Sequence, residues 1–82
     1  MTRYFFDTRD GSQLITDDEG LDLPSVEDAR ILASTALGEA AKDALPGGTA
    51  REIAIEVRDG LGPEPLLKAS LRFKVEMLRS PL

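Results

Sequence analysis

The hydrophobic period of this chain changes twice. Polar and apolar residues alternate near the start, apolar residues recur with helical spacing from Val26 to Leu45, and alternation returns from Glu52 to Met77. Alternation sends successive side chains to opposite faces of a strand, whereas a period near 3.6 lines one face of a helix. The expected order is therefore β-β-α-β-β. This is an α+β domain over residues 1–82: a four-stranded antiparallel sheet with one helix packed on one face.

Local signals place the boundaries. Arg3 to Arg9 puts Tyr4, Phe6 and Thr8 on one side and Arg3, Phe5 and Asp7 on the other. Asp10-Gly11 is a tight-hairpin dipeptide, and Gln13 to Thr16 forms the short return strand. Pro24-Ser25-Val26-Glu27-Asp28 opens the helix, with Ser25 as its cap and Asp28 where a capping-box acid sits. Pro46-Gly47-Gly48 closes it. Val26, Ala29, Ala33, Ala36, Leu37, Ala40 and Ala44 form its core stripe, mostly alanine, so the helix can lie close on the sheet. Ile53, Ile55 and Val57 then mark the third strand. Asp59 to Pro65 is a turn, and Leu67, Ala69, Leu71, Phe73, Val75 and Met77 line the helix side of a long fourth strand.

Composition narrows the chemistry. The chain has no Cys and no His, which removes disulfides, thiolate chemistry and the usual zinc ligands. No apolar run is long enough for a membrane span or a signal peptide, so a cytoplasmic protein is expected. Net charge is −5, unevenly spread: residues 1–45 hold ten acids and four bases, residues 46–82 five acids and six bases. Such a balance repels a phosphate backbone at long range.

Several residue groups resemble a known family. They are Arg3-Tyr4-Phe5-Phe6, the Arg9-Asp10-Gly11 turn, Asp18-Glu19-Gly20-Leu21-Asp22-Leu23-Pro24, and Glu27-Asp28-Ala29-Arg30. Together they resemble short alphaproteobacterial proteins classified as a domain of unknown function. The resemblance covers about residues 3 to 45 and fades after the helix. It implies a small cytoplasmic stand-alone domain and brings no activity, cofactor or catalytic residue. The chain departs from the pattern at Asp7, where many members of that family are expected to carry His.

Each candidate constellation has a plain structural counterpart. Asp17, Asp18, Glu19 and Asp22 could ligate a cation, but the run lacks calcium-loop spacing and reads as a solvated turn. Arg3, Lys68, Arg72 and Lys74 near Phe5 could meet nucleic acid, but Glu52, Glu56 and Glu76 share that face and pair across strands. No group of residues has the make-up of a catalytic site. No enzyme activity, metal or cofactor is expected.

The helix carries a second row, off the core stripe: Ile31, Ser34, Gly38, Ala41 and Leu45. Glycine inside a helix costs about 1 kcal/mol relative to alanine, which marks Gly38 as a place of close approach. The row is a candidate interaction surface. It is covered by the tail Leu78–Leu82, by the loop at Leu61, or by another chain. The expected function is a non-catalytic interaction domain that associates with itself or another protein, with no nucleic-acid or membrane partner. The alternative is a regulatory module that binds nucleic acid or a toxin partner, antitoxin-like by fold analogy alone.

Overall fold

Period two near the start becomes β1, Thr2–Asp10, which turns through Gly11 into β2, Gln13–Ile15. Gly11 sits at φ +61°, the left-handed region this turn requires. The computed structural model describes residues 1–79. After β2 come β3 (Leu21–Leu23), helix α1 (Val26–Ala44), a 3-10 turn over Leu45–Gly47, β4 (Ala50–Arg58) and β5 (Leu67–Lys74).

The sheet order is β2-β1-β4-β5, with β3 also paired to β1, and every pairing is antiparallel. The α+β architecture and the single helix agree with the sequence pattern. Among the described residues, however, the sheet has five strands rather than four. Leu21, Asp22 and Leu23 pair with Tyr4, Arg3 and Thr2. Three residues in an acidic, glycine-flanked stretch carry too little alternation to announce a strand.

The fourth predicted strand also ends early. Lys74 pairs with Ala50, the first residue of β4, Val75 adds one bond to the Thr49 carbonyl at 2.6 Å, and among the described residues no ladder partner receives Glu76 and Met77. Alternation in sequence thus outruns the partner available within the monomer.

Ser25 caps α1 as expected. Its backbone is extended (φ −154°, ψ 164°), and its hydroxyl accepts from the Asp28 N–H at 3.3 Å. The hydroxyl also donates to Asp28 Oδ2 at 2.8 Å, so the acid meets the Ser25 side chain rather than its backbone N–H. Glu27 and Asp28 lie at the positive end of the helix dipole.

The core forms where α1 lies on the sheet. Tyr4, Ala29, Ala33, Ile55 and Val57 are its buried centre, flanked by Phe6, Leu23, Leu37, Leu67 and Ala69. The alanine stripe holds at Ala29 and Ala33, which are fully buried. Val26, placed on the stripe by angle, is half exposed at the first position of the helix. The molecule is long and narrow, 58 × 21 × 17 Å.

Candidate functional site

The face of the sheet away from α1 carries the densest polar arrangement among the described residues. Strand alternation puts Phe5, Asp7 and Arg9 of β1 opposite Arg58, Glu56 and Ala54 of β4. Asp7 is buried, 8% exposed, and Arg58 answers it: Nε donates to Asp7 Oδ2 at 2.8 Å. Arg58 Nη2 also donates to the backbone oxygen of Asp17 at 2.7 Å, and its guanidinium lies 4.5 Å from the centre of the Phe5 ring.

Asp17 is the second hub. Its carboxylate accepts from the N–H groups of Phe6 at 3.0 Å, Glu19 at 3.1 Å and Gly20 at 3.2 Å. Its own N–H donates to Asp7 Oδ1 at 2.8 Å. Partial burial pushes the Asp17 pKa up. The three backbone donors and the Arg58 charge outweigh that and hold it below the ordinary carboxylate value.

Two glycines complete the cluster. A methyl group built on Gly20 would fall 2.9 Å from both Arg3 Cγ and Phe5 Cε1, and one on Gly60 would fall 3.1 Å from Phe5 Cε2. Both glycines have positive φ, +73° and +81°. The Phe5 ring is therefore held between two backbone turns and a guanidinium. Every polar group of the cluster has a partner, and among the described residues no buried side-chain N or O lacks one. The arrangement can fix the loop from Thr16 to Gly20 against β1 and β4. Its carboxylates are already engaged.

The acidic run thus divides. Asp17 is an internal acceptor rather than a solvated acid, and Asp22 pairs with Arg3 at 3.1 Å. Asp18 and Glu19 are exposed as expected. Among the described residues no group of three acids is placed to hold a metal ion. On the same face Arg9 pairs with Glu56 at 2.9 Å and Arg72 with Glu52 at 2.8 Å, the cross-strand pairing expected of mixed charge. A shallow groove at the sheet end, about 470 Å³, is lined by Gly11, Ala50, Arg51, Phe73 and Lys74, and Arg51 is tied to Asp10 at 2.7 Å.

The second helix row is split by the fold. Ile31 is 51% exposed, Ser34 and Gly38 are exposed, and nothing lies within 4 Å of a methyl group placed on Gly38. The Ser34 hydroxyl turns back to the Arg30 carbonyl at 3.1 Å. Leu45 is half-buried. Ala41 does not share that exposure: it is buried, because it stands at the rim of the row nearest the alanine stripe. Leu61 and Leu78 are 90% and 88% exposed, so neither packs over the row, while Ser80, Pro81 and Leu82 lie outside the described residues.

Sequence reasoning passed over Asp7, Asp17 and Arg58 as a unit because they lie on three separate segments. The available signal was Asp17 three residues before Gly20, the spacing of an acid that bonds the following backbone. No helix among the described residues is long and apolar enough to cross a membrane. No curated protein and no solved structure gives a significant match to the chain. A family model does match, over residues 3–71, well past the helix at which the motif resemblance fades. The chain belongs to the family described as Domain of unknown function (DUF6894).

Proposed function

We propose that this protein is a small non-catalytic interaction domain that works by associating with a second copy of itself. One observation carries the reading. Apolar side chains that a single-helix, single-sheet core leaves uncovered include Ile31 on the helix and Leu66, Leu71, Val75 and Met77 on or beside β5. Exposed apolar residues scattered singly are ordinary, but several on one strand and its extension favour a contact surface.

The acids and bases of the opposite face support the non-catalytic part. Asp7, Asp17 and Arg58 satisfy one another and the loop backbone, which suits holding a shape rather than moving a proton. A chain this short buries only about 60% of its unfolded surface, so a second copy adds stability it needs. Sedimentation velocity from micromolar to near-millimolar concentration tests the reading. A concentration-dependent shift from one copy to two is expected; a single species of monomer mass throughout would overturn it.

A further inference from the structure

The sheet has two unequal edges. On one side β1 is flanked by β2 and β3, three residues each, too short to recruit another strand. On the other, β5 offers eight residues with nothing beside them among the described residues. The Val75 N–H donates to the Thr49 carbonyl, and Val75 continues the set of Leu67, Ala69, Leu71 and Phe73. In an antiparallel ladder these alternate residues turn their backbone groups toward the neighbour. Lys68, Ser70, Arg72 and Lys74 therefore direct theirs outward, unpaired.

We infer that the outer edge of β5, extended through Val75, Glu76 and Met77, pairs antiparallel with the same edge of a second copy. The inference rests on the self-association proposed above and names its surface and register. Three registers keep the faces of the two sheets matched near the strand centre. Centring on Ser70 sets Lys68 opposite Arg72 of the second copy, and centring on Leu71 sets Lys68 opposite Lys74. Neither brings Lys68 to an acid of the second copy, and like charges placed opposite destabilise a cross-strand pair.

Centring on Arg72 behaves differently. Lys68 then meets Glu76 of the second copy, twice by symmetry, and Ser70 meets Lys74. The two Arg72 side chains meet at the axis, each already neutralised by its own Glu52 at 2.8 Å. On the helix side Leu71 meets Phe73, Ala69 meets Val75, and Leu67 meets Met77. Val75 and Met77, 45% and 74% exposed in the monomer, acquire neighbours. Glu76 exchanges its local partner Lys74, 2.6 Å away on the exposed surface, for Lys68 of the second copy. The alternation that runs past the end of β4 thus gains the strand it lacks.

The helix row falls into place with this edge. β3 and β4 both run antiparallel to β1, so they are parallel to each other and α1 is a crossover between them. Such crossovers are right-handed in about 98% of cases. That hand turns Ile31, Ser34, Gly38 and Leu45, about 120° round the helix from the alanine stripe, toward β5. Joining the β5 edges lays the two helices antiparallel on the same face. The small residues of one row then look toward those of the other.

Ser70→Pro is the direct test. Its N–H points outward, and proline is tolerated on an edge strand where that donor is unused. The variant should keep the wild-type circular dichroism and urea midpoint as a monomer and lose the dimer in sedimentation. Charge exchange provides a second, independent reading. Glu76→Lys alone should weaken association by about tenfold, and adding Lys68→Glu should restore it. A dimer that survives Ser70→Pro and ignores the charge exchange would overturn this surface while leaving self-association standing. A wild type that is monomeric throughout would overturn both.

Discussion

Replacing Gly20 with alanine should be among the most damaging single-methyl additions this domain can receive. Two costs add. Gly20 sits at φ +73°, where an L side chain costs roughly 1–2 kcal/mol. The new methyl also lands 2.9 Å from Arg3 Cγ and Phe5 Cε1 and 3.0 Å from Phe5 Cδ1. The ring cannot retreat, because Gly60 and the Arg58 guanidinium stand around it. Overpacking of this kind adds roughly 1–3 kcal/mol. The sum, about 2–5 kcal/mol, is a large part of the roughly 4–12 kcal/mol expected for a domain of this length. Two other glycines calibrate it. Gly11 has φ +61° and nothing within 4 Å of an added methyl, so Gly11→Ala should show the backbone cost alone. Gly38 is helical with open space around it, so Gly38→Ala should stabilise by about 1 kcal/mol. Urea unfolding of the three variants measures each difference. Phe5→Leu in the Gly20→Ala background should recover part of the loss, since the two sites couple through the ring. If Gly20→Ala costs no more than Gly11→Ala, the Phe5 ring is not held as described.

Other consequences can be checked alongside. Ser25→Ala should destabilise by about 1 kcal/mol through loss of the cap, read as a lower urea midpoint; an unchanged midpoint would mean the Ser25 hydroxyl does not hold the helix start. Arg58→Ala should lower the midpoint clearly more than Arg72→Ala, because Arg58 answers the buried Asp7 whereas the Arg72 pair is mostly in water. Asp17 has its folded-state pKa held below its unfolded value, so its stabilisation is complete above about pH 4 and is lost as pH falls through the lower folded value. Asp17→Asn should flatten the acid side of a midpoint-versus-pH curve; an unchanged slope would refute the three-donor account. Gly38→Arg should move self-association to higher concentration with helix content preserved, and an unchanged sedimentation profile would remove the helix row from the interface.

Much of the fold was legible because it rests on local rules. Ser25 before Val26, Asp10-Gly11, and the alternation of Ile53, Ile55 and Val57 each act within a few residues. The Leu21–Leu23 strand was not legible, since its hydrogen bonds depend on where Thr2 to Tyr4 already lie. The Phe5 enclosure needed the same long-range knowledge. Gly20 and Gly60 read as ordinary turn glycines until the fold brings both against one ring. The helix row was legible by angle, and the same angle sets Ala41 nearest the stripe and Gly38 well away from it, which is the order of their burial.

The placement of β1 has a kinetic meaning. β2 and β3 join it through neighbouring sequence, so the first 23 residues can close on themselves within short loops. The pairing of Phe6 with Val57 must instead gather a chain of about fifty residues, whose closure costs roughly 3.5 kcal/mol in entropy before any core contact repays it. Helix formation shortens that search, because α1 spans much of the gap. The folding barrier should therefore lie at the meeting of β1 with β4. Lengthening the Pro46–Thr49 connection should slow folding only slightly, since each doubling of a loop adds about 0.6 kcal/mol. Weakening α1 should slow it by a similarly small amount through loop closure, since its 19 residues change the closure cost by only about 0.4 kcal/mol.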